Sequence, residues 1–154
     1  TGSASQAKTA LDLGFDHSTT YNLTRGKNQQ PSQALVEFDD VIEYHVDTWK
    51  AFLDKGIPYW PVVTQGWDVS TRIHPYEPWP PTRWNWPWGH LVVNNTPEKF
   101  GQLVSLCRQF IGLQDKKPKA MILNAWNEWT EGSVILPTKD QGDAVLKALK
   151  KALS

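Results

Sequence analysis

The sequence comprises 154 residues, of which 40% are hydrophobic and 21% charged, as is ordinary for a globular protein. Its 16 basic side chains balance its 16 acidic ones, so the charge calls for neither a nucleic acid nor an anionic membrane as partner. The apolar runs are far shorter than the ~20 residues of a membrane-spanning helix, so no membrane span is expected. The single cysteine, Cys107, excludes an internal disulfide and is predicted to be a core residue. The cellular compartment stays open, because no signal-peptide pattern is visible.

Four helices are predicted from the spacing of apolar residues and from the residue types at the helix ends. A weak helical pattern over residues 1–13 ends at Gly14, a typical C-cap residue. A stronger pattern covers residues 38–55. The third helix, over residues 96–112, opens with a threonine N-cap followed by proline. The last helix is predicted over residues 143–153.

Three strands are predicted between these helices, over residues 15–23, 57–64 and 120–125. Strands that alternate with helices of more than ten residues favour parallel βα units. A dinucleotide-binding sheet is not favoured, because the sequence has no Gly-rich phosphate fingerprint. The residues best suited to chemistry follow the carboxyl ends of the strands, as they do in TIM-type barrels.

We therefore predict an α/β fold, namely the C-terminal portion (about three βα units) of a TIM-type (β/α)8 barrel, with residues 1–154 as one partial-barrel domain. Eight βα units typically need about 250 residues. The rest of the barrel is expected in a missing N-terminal portion or in a second chain. An open sheet is the alternative.

A Trp- and Pro-rich segment, residues 65–95, shows no periodicity and is predicted to be an ordered loop on the active face of the barrel. It holds five of the nine tryptophans: Trp67, Trp79, Trp84, Trp86 and Trp88. Flat aromatic rings suit the apolar faces of sugars, so the loop is a candidate saccharide platform. Alternatively, the rings pack on each other and cover the barrel rim.

Two carboxylates, Glu128 and Glu131, stand in the sequence Asn-Ala-Trp-Asn-Glu-Trp-Thr-Glu-Gly (124–132), directly after the third predicted strand. On a helical turn, such a spacing separates Cβ atoms by about 5–6 Å. This is compatible with the carboxyl separation of about 5–5.5 Å in retaining glycosidases. Trp126 and Trp129 could supply apolar surroundings that separate the pKa values of the two acids. The alternative is a strand-end turn with solvated acids and packing tryptophans.

Further side chains near the predicted strand ends are candidates for substrate binding: Tyr21, Trp67, Asp68, Arg72, Trp126 and Asn127. Asp68 and Arg72 could orient sugar hydroxyls through charge-assisted hydrogen bonds, although we favour a salt bridge between them. His45 lies on the apolar face of the second helix and is predicted to be a core histidine. No metal and no cofactor are expected, because the histidines lack metal-ligand spacing. A Gly-x-Ser-x-Gly nucleophile is absent as well.

The sequence Asn-Glu-Trp-Thr-Glu-Gly (127–132), preceded by Asn-Ala-Trp, resembles the endo-α-mannosidases of glycoside hydrolase family 99. It resembles more closely the related WbsX-like bacterial proteins tied to polysaccharide metabolism. Gly-Trp-Asp (66–68) with Arg72, and Asn-Thr-Pro-Glu (95–98), also look like the WbsX-like pattern. The resemblance covers residues from about 14 to 137.

This resemblance implies a TIM-type barrel and metal-independent, retaining cleavage of α-linked, mannose-type glycans through a 1,2-anhydro sugar. By motif match, Glu128 would deprotonate the substrate 2-hydroxyl, and Glu131 would protonate the leaving oxygen and then activate water. Thr130 replaces a histidine of the mannosidase pattern. The substrate would be an oligosaccharide or polysaccharide. Two alternatives are a non-catalytic carbohydrate-binding module and a transferase of polysaccharide biosynthesis.

Overall fold

The computed structural model describes residues 3–30, 33–76, 89–115 and 119–154. In these residues the α-helices are α1 (Ala4–Asp12), α2 (Phe38–Asp54), α3 (Pro97–Leu113) and α4 (Ala144–Leu153). The strands are β1 (Leu35–Glu37), β2 (Val62–Thr64), β3 (Leu91–Val93), β4 (Ile122–Asn124), β5 (Asn127–Glu128) and β6 (Ser133–Val134). Two short 3-10 turns cover Ser70–Arg72 and Trp129–Glu131.

The predicted helices are confirmed to within a few residues at each end. Ser3 caps α1, since its hydroxyl accepts a hydrogen bond from the Gln6 N–H at 3.4 Å. Thr96 caps α3 in the same way, accepting from the Lys99 N–H at 3.3 Å. These helices could be predicted because their end signals and their apolar spacing are local properties of the sequence.

The strands form three small pairs, two of them parallel. β2 pairs with β4 in parallel, with Val62 opposite Ile122 and Thr64 opposite Asn124. β1 pairs with β3 in parallel, and β5 pairs with β6 antiparallel. The observed class is therefore α/β with small parallel sheets, which is compatible with a partial βα fold. The connection between the parallel strands β2 and β4 contains β3 and α3, so it includes the crossover helix that is usual in a βαβ unit.

The predicted strand over residues 15–23 is wrong as a continuous strand. Only Ser18 makes a bridge there, parallel to Tyr59. Side-chain hydroxyls supply other links: Thr19 Oγ1 donates to the Trp60 carbonyl at 2.9 Å, and the Leu23 N–H donates to Thr64 Oγ1 at 3.0 Å. Because threonine hydroxyls bind the backbone in place of ladder bonds, the segment follows the edge of β2 without forming a regular strand.

The other strands also differ from prediction in length and number. β2 starts only at Val62, because Pro58 and Pro61 have no N–H to donate to a ladder. β1 and β3 were not predicted, and β3 lies inside the predicted loop 65–95. Strands of three residues are too short to show a period-two pattern. The predicted loop's other tryptophans lie outside the described residues: Trp79, Trp84, Trp86 and Trp88.

The hydrophobic core lies between the helices and the strands β1, β2 and β3. Phe52 of α2 stacks on Tyr59, with ring centroids 3.9 Å apart, and Trp49 meets Phe110 of α3 at 5.6 Å. Cys107 is completely buried, which confirms its prediction as a core residue, and burial raises the pKa of its thiol to about 12. The core thus fixes α2 and α3 against the strands whose ends carry the candidate site.

His45 connects α2 to the carboxyl end of β2. Its buried ring donates from Nδ1 to the Val41 carbonyl at 2.8 Å, and its Nε2 accepts from the Thr64 N–H at 3.3 Å. The prediction of a core histidine is therefore confirmed. Burial lowers the pKa of His45 from 6.5 to about 4, although the hydrogen bond to Val41 opposes this shift.

Acidification should destabilise the protein through His45. The unfolded chain takes up a proton near pH 6.5, whereas the folded imidazole stays neutral down to about pH 4. The unfolded state therefore binds more protons in this window, and stability falls as the pH drops through it. Between pH 7 and pH 5 we expect a loss of about 2 kcal/mol from this group, measured by urea unfolding.

Two variants test this prediction. His45→Gln removes the buried imidazole, and His74→Gln is the control, because His74 is exposed in the wild type. The loss on acidification should shrink by about 2 kcal/mol in His45→Gln and stay at the wild-type value in His74→Gln. An unchanged loss in His45→Gln would show that another group is responsible.

Candidate active site

The candidate active site lies where the chain leaves β4. β4 ends at Asn124, the Asn124–Ala125 peptide bond is cis, and a β5–β6 hairpin follows with Glu128 opposite Ser133. Glu128 ends β5, and Glu131 ends the 3-10 turn at the hairpin tip. A single tight turn therefore carries both carboxylates.

Hydrogen bonds to the end of β4 fix the base of this hairpin. Ser133 is completely buried, and its hydroxyl lies 2.9 Å from the Asn124 carbonyl and 3.1 Å from Asn124 Oδ1. The Ile135 N–H donates to the Ala125 carbonyl at 3.1 Å. Because the anchoring groups are buried, the position of the turn follows that of the strand.

Both oxygens of Glu131 accept hydrogen bonds from residues distant in sequence. Tyr21 Oη donates to Oε2 at 3.2 Å, and Arg72 Nη2 donates to Oε1 at 3.1 Å. The side chains of Arg72 and Glu131 are 23% and 12% exposed, so this ion pair is partly shielded from solvent. Glu131 is thereby held between the segment before β1 and the loop after β2.

Thr130 connects Glu128 to the guanidinium of Arg72. Its hydroxyl accepts from Arg72 Nη2 at 2.9 Å and donates to Glu128 Oε1 at 2.7 Å. Arg72 therefore reaches Glu131 directly and Glu128 through one hydroxyl. From the sequence, Thr130 stood out only as a departure from the mannosidase pattern. The local signal for its bridging position is a hydroxyl placed between two acids in a tight turn.

The Tyr21 hydroxyl stays protonated well above neutral pH. Burial raises the pKa of Tyr21, and the negative charges of Glu131 and Glu128 raise it further, while Arg72 lowers it. The phenol can therefore donate to Glu131 throughout the physiological pH range. A hydroxyl can also accept, so Tyr21 can reverse this bond if Glu131 takes up a proton.

The predicted salt bridge between Asp68 and Arg72 is wrong. Asp68 Oδ1 instead accepts from the Ser70 N–H at 2.8 Å, and the Asp68 N–H donates to the Glu131 carbonyl at 2.7 Å. This local side-chain turn occupies the Asp68 carboxylate at the start of the 3-10 turn, leaving Arg72 to pair with Glu131. Asp68 thus holds the backbone of the hairpin tip.

Gly132 is required where these two loops meet. Its φ of +58° lies in the left-handed region, and a Cβ atom there would stand 2.6 Å from Asp68 Cβ and 2.9 Å from Asp68 N. Any side chain would therefore push Asp68 away from the Glu131 carbonyl. The close approach of the loops depends on glycine at this position.

Replacing Gly132 by Ala should lower the free energy of unfolding by more than the strain of a left-handed alanine alone would. Gly142→Ala is the matched control, because its φ of +55° is similar and nothing lies within 4 Å of the added Cβ. We expect Gly142→Ala to cost roughly 1–2 kcal/mol. Overlap with Asp68 should make Gly132→Ala worse by a further 1–3 kcal/mol or so, measured by urea unfolding. Equal losses in the two variants would contradict the packing described for Gly132.

The remaining candidate binding residues differ in where they lie. Trp67 packs against the hydrophobic core, and its carbonyl accepts from the Val92 N–H at 2.8 Å. Trp126 and Trp129 flank Glu128 in sequence and are 56% and 51% exposed. They therefore present open ring surface to solvent. Asn127 is exposed, and its backbone pairs with β6.

Within the described ranges, His, Cys, Asp and Glu side chains form no group of three or more that could hold a metal ion. None of the helices in those ranges combines the length and apolar character needed to cross a bilayer.

Paired carboxylates beside exposed indoles at the end of a parallel strand are typical of carbohydrate-active proteins. The sequence pattern of the family described as glycosyltransferase WbsX matches residues 4–149. The chain therefore belongs to the WbsX family, and membership indicates a carbohydrate-active protein. This family falls in the same group as glycoside hydrolase family 99, so the resemblance read from the sequence is confirmed.

The chain is also similar to a protein of Xanthomonas campestris pv. campestris, described as uncharacterized protein WxcX. The two are 25% identical over 152 residues, which cover 93% of this chain and 20% of WxcX. The chain thus spans about a fifth of the length of that relative. No solved structure matches the chain significantly.

Proposed function

We propose that the chain carries the catalytic carboxylates of a retaining, metal-independent glycoside hydrolase that cleaves α-linked glycans, with mannose-type glycans as the first substrates to test. The observation that carries this proposal is the connection of Glu131 and Glu128 through Arg72 and Thr130. Such a network holds two carboxylates in a fixed relation, as a reaction with two acid–base steps requires.

The roles follow from the family resemblance and are consistent with the contacts. In the first step Glu128 would take the proton of the substrate 2-hydroxyl. That oxygen would attack the anomeric carbon while the glycosidic bond breaks and the leaving oxygen takes a proton from Glu131. In the second step Glu131 would take a proton from the water that opens the 1,2-anhydro sugar, and Glu128 would return its proton to the 2-oxygen.

The hydrogen bonds of Glu131 fit the second step as they stand. Two donors, Tyr21 and Arg72, suit an ionised carboxylate that is ready to accept a proton from water. For the first step Glu131 must carry a proton, and Tyr21 would then reverse its hydrogen bond and accept. The phenol thus serves both protonation states of Glu131.

We further propose that these residues belong to the C-terminal part of a TIM-type (β/α)8 barrel, whose other βα units come from an N-terminal portion or a second chain. The support is the position of the acids just beyond the carboxyl end of a parallel strand, the usual place of active sites in such barrels.

A transferase is the second candidate, because the family description names a glycosyltransferase. The same carboxylate pair would then direct the glycosyl group to a sugar hydroxyl instead of water. A non-catalytic carbohydrate-binding module is the third candidate, and exposed Trp126 and Trp129 would suit it.

Product analysis separates these functions. The purified protein would be incubated with α-linked manno-oligosaccharides, with a Glu128→Gln/Glu131→Gln double variant as the control. The hydrolase proposal predicts shorter saccharides with new reducing ends from the wild type and none from the double variant. Longer saccharides without net new reducing ends would favour the transferase. Binding of saccharide with no turnover of any α-linked glycan would favour the binding module.

A further inference from the structure

Tyr21, which contacts Glu131, also lines a cavity of about 410 Å³. Its lining includes Tyr21, Arg25, Tyr44 and His90. The Tyr21 hydroxyl donates to Glu131 at 3.2 Å, so one side chain borders both the cavity and the candidate catalytic site. A glycan bound across the carboxylates would therefore be able to place a neighbouring sugar in this cavity.

A second cavity, of about 430 Å³, continues the first. The two share Arg25, Tyr44 and His90, and the second is also lined by Lys27. Each has a volume in the range of ligand pockets, roughly 300–1,000 Å³. Together they form a groove that leads from Tyr21 past Arg25, which we call the Arg25 groove.

The charge of the Arg25 groove is positive and comes mainly from one residue. Among the described residues that line either cavity, none is an aspartate or glutamate. Lys27 is already paired with Glu43 at 3.4 Å and Asp47 at 3.1 Å. Arg25, in contrast, has an exposed side chain and makes no salt bridge within the described residues. Its guanidinium is therefore the cation that a ligand would meet.

His90 adds a neutral polar edge to the groove. Its Nε2 donates to the Thr24 carbonyl at 2.7 Å, which leaves Nδ1 as a potential acceptor in the neutral ring. Burial lowers the pKa of His90, and the nearby charge of Arg25 lowers it further, while the bond to Thr24 opposes these effects. The imidazole therefore adds no second positive charge at neutral pH.

We propose that the Arg25 groove binds an acidic sugar residue, a uronic acid, next to the sugar whose glycosidic bond meets Glu128 and Glu131. The planar guanidinium of Arg25 can hold a carboxylate through two parallel hydrogen bonds. Tyr21 and Tyr44 offer aromatic surface to the sugar ring. The substrate class is then an anionic polysaccharide. The placement beside the scissile bond rests on the proposed function, whereas the binding itself does not.

The test compares two ligands that differ only at C6, methyl glucuronide and methyl glucoside, by NMR titration of the whole protein. The glucuronide should shift signals of Tyr21 and His90, and it should bind more tightly than the glucoside. Arg25→Gln should weaken glucuronide binding by roughly tenfold or more. The affinity of Arg25→Lys for the glucuronide should lie between those of wild type and Arg25→Gln, since lysine keeps the positive charge but lacks the two parallel N–H donors of the guanidinium. Lys50→Gln, an exposed change on α2, serves as the control.

Equal binding of glucuronide and glucoside would overturn this inference, as would unchanged glucuronide binding in Arg25→Gln. Inorganic phosphate that binds as tightly as the glucuronide and shifts the same signals would indicate a general anion site, which also overturns it. The titration requires no turnover, so its failure leaves the hydrolase proposal intact. Failure of the product analysis would equally leave a positive titration standing.

Discussion

Replacing Glu131 by Gln is expected to lower kcat on a glycan with a sugar leaving group by roughly 10²–10⁴-fold. Gln has nearly the same shape, and its amide oxygen can still accept from Arg72, so the turn should keep its structure. It cannot, however, deliver a proton to the departing oxygen. With an aryl glycoside, whose leaving group departs without protonation, kcat/KM should fall far less, because it reports the first step; kcat should still fall, because the variant also lacks the base that activates water in the second step. The measurement is kcat/KM and kcat for both substrates with wild type and variant.

Glu128→Gln provides the contrast for this prediction. A base that acts on the 2-hydroxyl is needed whatever the leaving group is, so both substrates should lose activity to a similar extent. Glu98→Gln, an exposed change in the first turn of α3, should leave kcat unchanged. If Glu131→Gln reduced cleavage of both substrates equally while Glu128→Gln spared the aryl glycoside, the two roles would be reversed.

Replacing Arg72 by Met should lower kcat by roughly 10- to 100-fold, the typical worth of a hydrogen bond to a charged group. The change removes the direct bond to Glu131 and the bond to Thr130, the hydroxyl that donates to Glu128. Arg72→Lys should lose less than Arg72→Met, because the ammonium keeps its charge but lacks the guanidinium fork. Steady-state kinetics of both variants would measure these losses.

The control for Arg72 is Lys99→Met, which breaks an ion pair with Asp39 at 2.8 Å. The Asp39 side chain is 65% exposed, so loss of this ion pair should change the free energy of unfolding little and should leave kcat unchanged. Normal kcat in Arg72→Met would contradict the view that Arg72 orders the two carboxylates.

The helices were predictable from the sequence because their determinants are local. The apolar stripe of α2 and the Thr96–Pro97 start of α3 lie within a few residues of each other. Two of the three predicted strands, 57–64 and 120–125, contain the observed strands β2 and β4. β1 and β3 were not predicted, because each has three residues and becomes a strand only through pairing with the other. The strand predicted over residues 15–23 does not form as a regular strand, because the hydroxyls of Thr19 and Thr64 make hydrogen bonds to the backbone there.

The candidate site, too, could be predicted from the sequence only in part. Glu128 and Glu131 could be selected from the sequence because their motif is compact. Their catalytic roles stay predictions. The partner of Arg72 was predicted wrongly, because Glu131 lies 59 residues away and the competing carboxylate of Asp68 was nearer in sequence. Tyr21 was named, but its bond to Glu131 spans 110 residues and had no local signal. Arg25 was not selected at all, since a cation that makes no salt bridge within the described residues can be recognised only from its three-dimensional surroundings.

The central claim, that Glu128 and Glu131 form a retaining hydrolytic pair, is tested most directly by the anomeric form of the first product. Proton NMR would follow cleavage of an α-linked manno-oligosaccharide by the wild-type protein from its first minutes, before mutarotation equilibrates the anomers. The account predicts that the α-anomer of the newly formed reducing end appears first and that the β-anomer grows in later. A β-anomer that forms first would contradict it.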